Sequence, residues 1–241
     1  MLNLNLFAKI GFFLYIIVYL ISPKLAIAKI TKVDIRNKLE NALNARNLKL
    51  IKDNFEEEES LKIEKKFLTI IKDFPEAKWK IKKLIGGNYD DKGYKIKVDG
   101  KRILNGETYL LESNFEYIFS TMNNKISYGK IQNLLTTIRN DKNKIDIIFK
   151  IPTKVLTGKQ YDIDIILNQP LGDVIIAGGI KAHQDTTLLK QEIIIEPLVT
   201  GGIFKMTRAP SKEGTQIWSG IIAHPEGMIS FTKSVEIVEK I

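Results

Sequence analysis

Lys78-Trp79-Lys80-Ile81-Lys82 and Tyr94-Lys95-Ile96-Lys97-Val98 alternate apolar and basic residues one by one, and these two runs decide how the chain reads. Side chains on a strand point to opposite faces in turn, so a period of two predicts strands. Lys78, Lys80, Lys82, Lys95 and Lys97 are expected together on a solvent face, opposite Trp79, Ile81, Tyr94, Ile96 and Val98. Gly86-Gly87-Asn88 and Gly93 join the runs, and Asp99-Gly100 reads as a tight turn. Phe115, Tyr117 and Phe119 alternate next, Asn123-Asn124 turns, and a last strand is expected over about Ile126 to Ile138.

Before Pro75 the period is that of a helix. Ile35, Leu39, Ala42 and Leu43 recur at spacings of three and four, predicting a helix over 32–48 that stops near Asn44 and Asn47. A second helix is expected from Ser60, as cap, to Asp73, with Leu61, Phe67, Leu68 and Ile71 on one stripe. Glu56 to Glu59 precede it and complement its positive end. Four adjacent carboxylates without ligand spacing read as a solvated charge cluster. Helices followed by a long antiparallel meander predict an α+β layer pair over residues 29–144.

That element order, the Ile35-Leu39-Leu43 helix and the Asn47-Leu48…Phe55 stretch resemble the nuclear transport factor 2-like superfamily over residues 31–144. The resemblance implies a curved sheet wrapping a helix into a cone with a pocket. Trp79, Tyr94, Phe115, Tyr117 and Phe119 are then the candidate pocket lining. Enzymes of that superfamily use an acid or a His–Asp pair inside the cone. Both histidines here, His183 and His224, fall outside the region, leaving an isolated acid such as Asp99 as the candidate base.

Arg139-Asn140-Asp141-Lys142-Asn143-Lys144 is polar and reads as a domain boundary. Beyond it, short apolar runs at 145–151, 161–167, 174–177, 193–195, 216–223 and 228–238 are separated by Gly and Pro, which predicts an all-β sandwich over 145–241. Pro152…Val155…Gly158…Tyr161-Asp162-Ile163-Asp164-Ile165 resembles the opening strands of bacterial immunoglobulin-like domains, and the hairpin through Trp218 is similar to their last two strands. Trp218 is expected in the core. The two halves together are also similar to exported proteins of marine picocyanobacteria, a resemblance that implies no activity.

The first 28 residues set the expected compartment. Lys9 precedes an apolar run from Ile10 to Ile21, and Ala26-Ile27-Ala28 suits a signal peptidase. About twenty apolar residues are needed to span a bilayer, so a cleaved leader is expected ahead of an uncleaved anchor. Export to a periplasm or equivalent lumen follows, with a mature chain from Lys29. Cys is absent, which excludes disulfide staples, thiol redox and Cys-ligated zinc. Residues 29–144 hold 25 Lys and Arg against 17 Asp and Glu, and residues 145–241 hold 10 against 11. The positive excess lies in the first half. It reads as solubility rather than nucleic-acid binding, because an exported chain rarely meets nucleic acid; peripheral contact with a membrane stays open.

No catalytic, cofactor or metal signature emerges. Asn88-Tyr89-Asp90-Asp91-Lys92-Gly93 departs from a calcium loop at Lys92, a ligand position, and reads as a turn. His183 and His224 carry no ligand spacing. Gly86-Gly87, Gly178-Gly179 and Gly201-Gly202 lack the context of a phosphate loop and read as turns. Ile203, Phe204 and Met206 interleave with Lys205 and Arg208, suiting a core strand ahead of a recognition edge. No nucleophile stands with a base. The expectation is a non-enzymatic binding or interaction protein for an unknown protein or small ligand, followed by a small-ligand carrier or enzyme using the pocket, then an envelope-assembly factor.

Overall fold

The computed structural model describes residues 35–84, 92–142, 145–168, 174–183, 193–199, 201–225 and 227–240. The expected leader, the 88–91 loop and Gly86-Gly87 lie outside them. Of the described residues, 35–102 and 111–134 form one compact unit, and 103–110 with 135–240 form a second.

In the first unit, α1 (Arg36–Asn44), α2 (Leu48–Lys52) and α3 (Glu57–Asp73) precede β1 (Lys78–Lys83), β2 (Lys92–Leu104), β3 (Glu107–Met122) and β4 (Lys125–Asn140). The strands hydrogen-bond in chain order, and β2, β3 and β4 each lend a stretch to both units. Asn47 caps α2 by accepting from the Leu50 amide. α3 starts at Glu57, not Ser60; Ser60 is buried inside it, and Glu57, Glu58 and Glu59 form its first turn. Leu61 and Leu68, expected on the apolar stripe, are exposed, while Phe67 and Ile70 are buried. Asp99 and Gly100 sit within β2; the turn follows at Asn105 and Gly106, both with positive φ. Gly100 stays small because a Cβ there would lie 3.0 Å from the Phe74 Cβ.

β1 pairs with β2 along one edge, and α1 covers the other. Arg36, Glu40 and Asn44, spaced by four, share one helix face. The Asn44 Nδ2 donates to the Trp79 carbonyl at 2.9 Å while the Trp79 amide donates to the Asn44 Oδ1 at 2.8 Å. The Ile81 amide donates to Glu40 at 2.7 Å, and Arg36 donates to the Ile81 carbonyl at 3.2 Å. Three side chains thus satisfy main-chain groups that a bare edge strand would offer to another chain.

In the second unit, β5 (Ile147–Lys150), β7 (Gln160–Leu167) and β10 (Gly202–Arg208) form a three-stranded sheet in the order β10-β7-β5. The remaining strands, β6 (Lys154–Leu156), β8 (Ala177–His183), β9 (Glu196–Pro197), β11 (Gly214–His224) and β12 (Gly227–Val238), are organised around the β11–β12 hairpin. β8 pairs with β11, β6 runs parallel to β12, and residues 135–139 of β4 complete the other side of β12. Trp218, Ile163, Ile165, Ile222, Phe231 and Val235 belong to one core. Trp218 is 2% exposed, and its indole N–H donates to the Tyr161 hydroxyl at 2.8 Å, which in turn donates to Gln216.

These elements overturn the expected fold class, an α+β cone followed by an immunoglobulin-like sandwich. The chain is mostly β, 58% strand against 17% helix, with helices only near the amino-terminal end of the described residues and no cone of sheet around a helix. The physical cause is strand length. β3 and β4 each run for 16 residues, longer than one helix-covered layer requires; β3 alternates in burial from Tyr109 to Phe119, while β4 shifts phase at 127–128 and again at 132–133, where Asn133 has a positive φ. The far end of β4 then becomes a backbone partner for β12, so the strands after 145 do not close on themselves. Gly178-Gly179 is also not a turn. Both lie in β8 opposite Ile222 and Ile221, and a Cβ on Gly179 would fall 1.9 Å from the Ile194 carbonyl oxygen.

Candidate functional site

The first unit holds a partly open apolar cavity of about 60 Å³. Leu39 and Leu43 of α1 border it, as do Ile63, Lys66, Phe67 and Ile70 of α3, spaced at three and four so that they share a helix face. Trp79, Ile96, Phe115, Tyr117 and Ile131 approach from β1 to β4, and Phe55 completes the wall. The surface turned to the cavity is apolar throughout. A wall of that kind holds no water well, because water needs two to four polar partners.

Charge lies behind this wall. Glu59 is 3% exposed and accepts a hydrogen bond from the Tyr117 hydroxyl at 3.1 Å. The Lys62 Nζ stands 3.6 Å from the other Glu59 oxygen. Lys66, one turn further, is also buried; desolvation pushes its ammonium down to about 8, against the opposing pull of Glu59. Its methylene stem can serve the cavity while the charged end belongs to the Glu59 group, as long cationic side chains do. Burial raises the Tyr117 phenol well above its ordinary value, and the Glu59 charge adds to that. Gly129 makes room for the phenol: a Cβ there would meet the Tyr117 Oη at 1.9 Å. The buried indole N–H of Trp79 has no acceptor among the described residues.

Of the five residues expected to line a pocket, Trp79, Phe115 and Tyr117 border this cavity. Tyr94 and Phe119 do not; their rings pack on one another at 4.8 Å, and Phe119 stacks on Tyr117 at 5.8 Å. Asp99, the candidate base, is exposed and pairs with Lys97 at 3.2 Å. Glu59 departs from the solvated cluster expected over Glu56 to Glu59. Lys66 and Glu59 were not legible as site residues by type. The readable signal was their position, since Glu59, Lys62 and Lys66 fall on the stripe that carries Ile63, Phe67 and Ile70.

The five lysines lie outward on β1 and β2. The register sets Lys80 opposite Lys97 and Lys82 opposite Lys95, while Ile81, Tyr94, Ile96 and Val98 are buried behind them.

No group of three or more metal-ligating side chains is assembled among the described residues. His183 is buried, and desolvation with the nearby Lys181 charge lowers its pKa. His183 pairs with Ile217 on β11, whereas His224 ends that strand, so about 23 Å of strand separates the two levels. In β10, Ile203 packs against the core, but Phe204 and Met206 are 53% and 68% exposed, contrary to the core expectation. They turn outward opposite Asp164 and Asp162 of β7.

No helix of the described residues is long and apolar enough to cross a membrane. No curated protein matches the chain. Residues 142–238 match the model of a family described as a domain of unknown function, DUF8623, so most of the second unit is similar to that family.

Proposed function

We propose that the chain is an exported binding protein that takes a small apolar molecule, or the end of an apolar chain, in the cavity of its first unit. The observation that supports this is the all-apolar wall, backed by convergent buried polar groups. The volume limits an unmoved cavity to a group smaller than the benzene that a dry cavity of about 150 Å³ takes. The surface turned to the cavity exposes no polar atom, the Lys66 ammonium and Tyr117 phenol being held behind it, so binding rather than turnover is the reading. Export is supported by residues 1–28, whose pattern is that of a leader.

Solvent extraction of the natively purified protein, followed by mass spectrometry, tests this reading. A near-stoichiometric apolar compound is expected, and its loss is expected from an Ile63→Phe variant that fills the cavity. Equal amounts from both proteins, or none from either, would contradict it.

A second reading, recognition of a protein partner along β10, is favoured by the exposed Phe204 and Met206 beside Lys205 and Arg208. Phe204→Ser with Met206→Ser would then abolish partner capture without touching the cavity.

A further inference from the structure

The outward side of β1 and β2 repeats lysine at Lys78, Lys80 and Lys82 and at Lys95 and Lys97. Burial of Ile81, Tyr94, Ile96 and Val98 dictates which face turns out, but not that the outward residues share one sign. Lys80 opposite Lys97 and Lys82 opposite Lys95 place like charges directly across an antiparallel pair, an arrangement that costs stability. Lys97 is relieved, because Asp99 and Glu112 each stand 3.2 Å from its ammonium, and these partners raise its pKa. Lys78 faces Asp99 across the pair, whereas Lys80, Lys82 and Lys95 face only lysines, and none of these four makes an ion pair among the described residues.

We propose that this lysine face docks the protein on an anionic lipid bilayer, its ammonium groups meeting lipid phosphates. Lysines on one strand are about 7 Å apart and neighbouring strands about 5 Å, so the face presents its charges in a plane rather than along a cleft. A single-stranded nucleic acid calls instead for a basic groove with aromatic platforms. The outward positions 78, 80, 82, 95, 97, 99 and 101 carry no aromatic side chain. Each lysine brought to an anionic surface raises partitioning by about fivefold, so four unbridged lysines give several hundredfold. The attraction decays over about 8 Å at physiological salt, so binding is reversible and salt-sensitive. This inference does not depend on the cavity being a ligand site.

The test is co-sedimentation of the natively purified protein with vesicles of phosphatidylcholine and phosphatidylglycerol. Binding to pure phosphatidylcholine vesicles is subtracted. Lys80→Glu, Lys82→Glu and Lys95→Glu together make the face variant. Lys159→Glu, Lys212→Glu and Lys240→Glu, exposed positions in the second unit, make a control with the same net charge. Wild type and control should bind at low salt and release at high salt, and the face variant should lose binding by at least about fiftyfold. If the face variant lowers the thermal midpoint, the corresponding Lys→Gln triple variant is measured in its place, with a loss of at least about tenfold expected. Equal binding by face and control variants, no binding by wild type, or tighter binding of wild type to a single-stranded oligonucleotide would overturn the proposal.

Discussion

Tyr117 and Glu59 meet from a strand and a helix 58 residues apart, the phenol donating to a carboxylate that water scarcely reaches. The bond ties α3 to β3 at the back of the cavity. Tyr117→Phe removes that donor while leaving the carboxylate buried, and is expected to cost about 1–3 kcal/mol in urea unfolding. Gly129→Ala should cost as much or more, because its Cβ occupies the place of the phenol oxygen. A cost below about 0.5 kcal/mol for both would place the phenol in solvent.

Lys66 gives stability a pH dependence of definite sign. Its folded value of about 8 lies below the ordinary 10.5, so between these the unfolded chain holds a proton that the folded chain has released. Stability therefore rises with pH across that window, by about 3 kcal/mol at most. Above about 10 the raised phenols of Tyr117, Tyr109 and Tyr161 act the other way. There the unfolded chain has lost phenolic protons that the folded chain keeps, and stability falls. Chemical denaturation as a function of pH should show a crest near 10, and Lys66→Met should remove the rising limb.

Asn44 holds the outer edge of β1 by two main-chain bonds to Trp79. Asn44→Ala is expected to destabilise by about 1–2 kcal/mol and to raise aggregation, because the freed edge can pair with another chain. Light scattering at matched concentrations reads the second effect, and an unchanged signal would show the edge to be covered without Asn44.

Trp218→Ala should destabilise by about 3–5 kcal/mol, the usual cost of removing a buried large aromatic. Trp218→Phe keeps much of the volume but leaves the Tyr161 hydroxyl without its indole donor, so an intermediate loss is expected. Thermal and urea unfolding of the two variants rank them.

The alternation at 78–82 and 94–98 made the lysine face legible, since a period of two admits one assignment of faces. Trp218 was legible as core from the apolar residues that flank it in its strand, which is buried on both faces over 216–222. The paired ends of long strands were not. That Leu135 faces Lys233 is a contact between residues 98 apart, and no local period encodes it. Gly178-Gly179 was misleading because a glycine pair serves a close backbone approach as well as a turn. Glu59 and Lys66 were hidden by residue type, since carboxylates and ammonium groups are ordinarily solvated. Their burial depends on Tyr117, which only the fold brings to them.

The central claim is that the first unit's cavity accepts an apolar guest, and xenon tests it most directly as a small probe that dry apolar cavities take. Methyl-resolved NMR of the protein under xenon pressure should show saturable shifts at Leu39, Leu43, Ile63, Ile70, Ile96 and Ile131, with Ile63→Phe abolishing them. Shifts absent from these methyls, or persisting unchanged in the filled variant, would contradict the account.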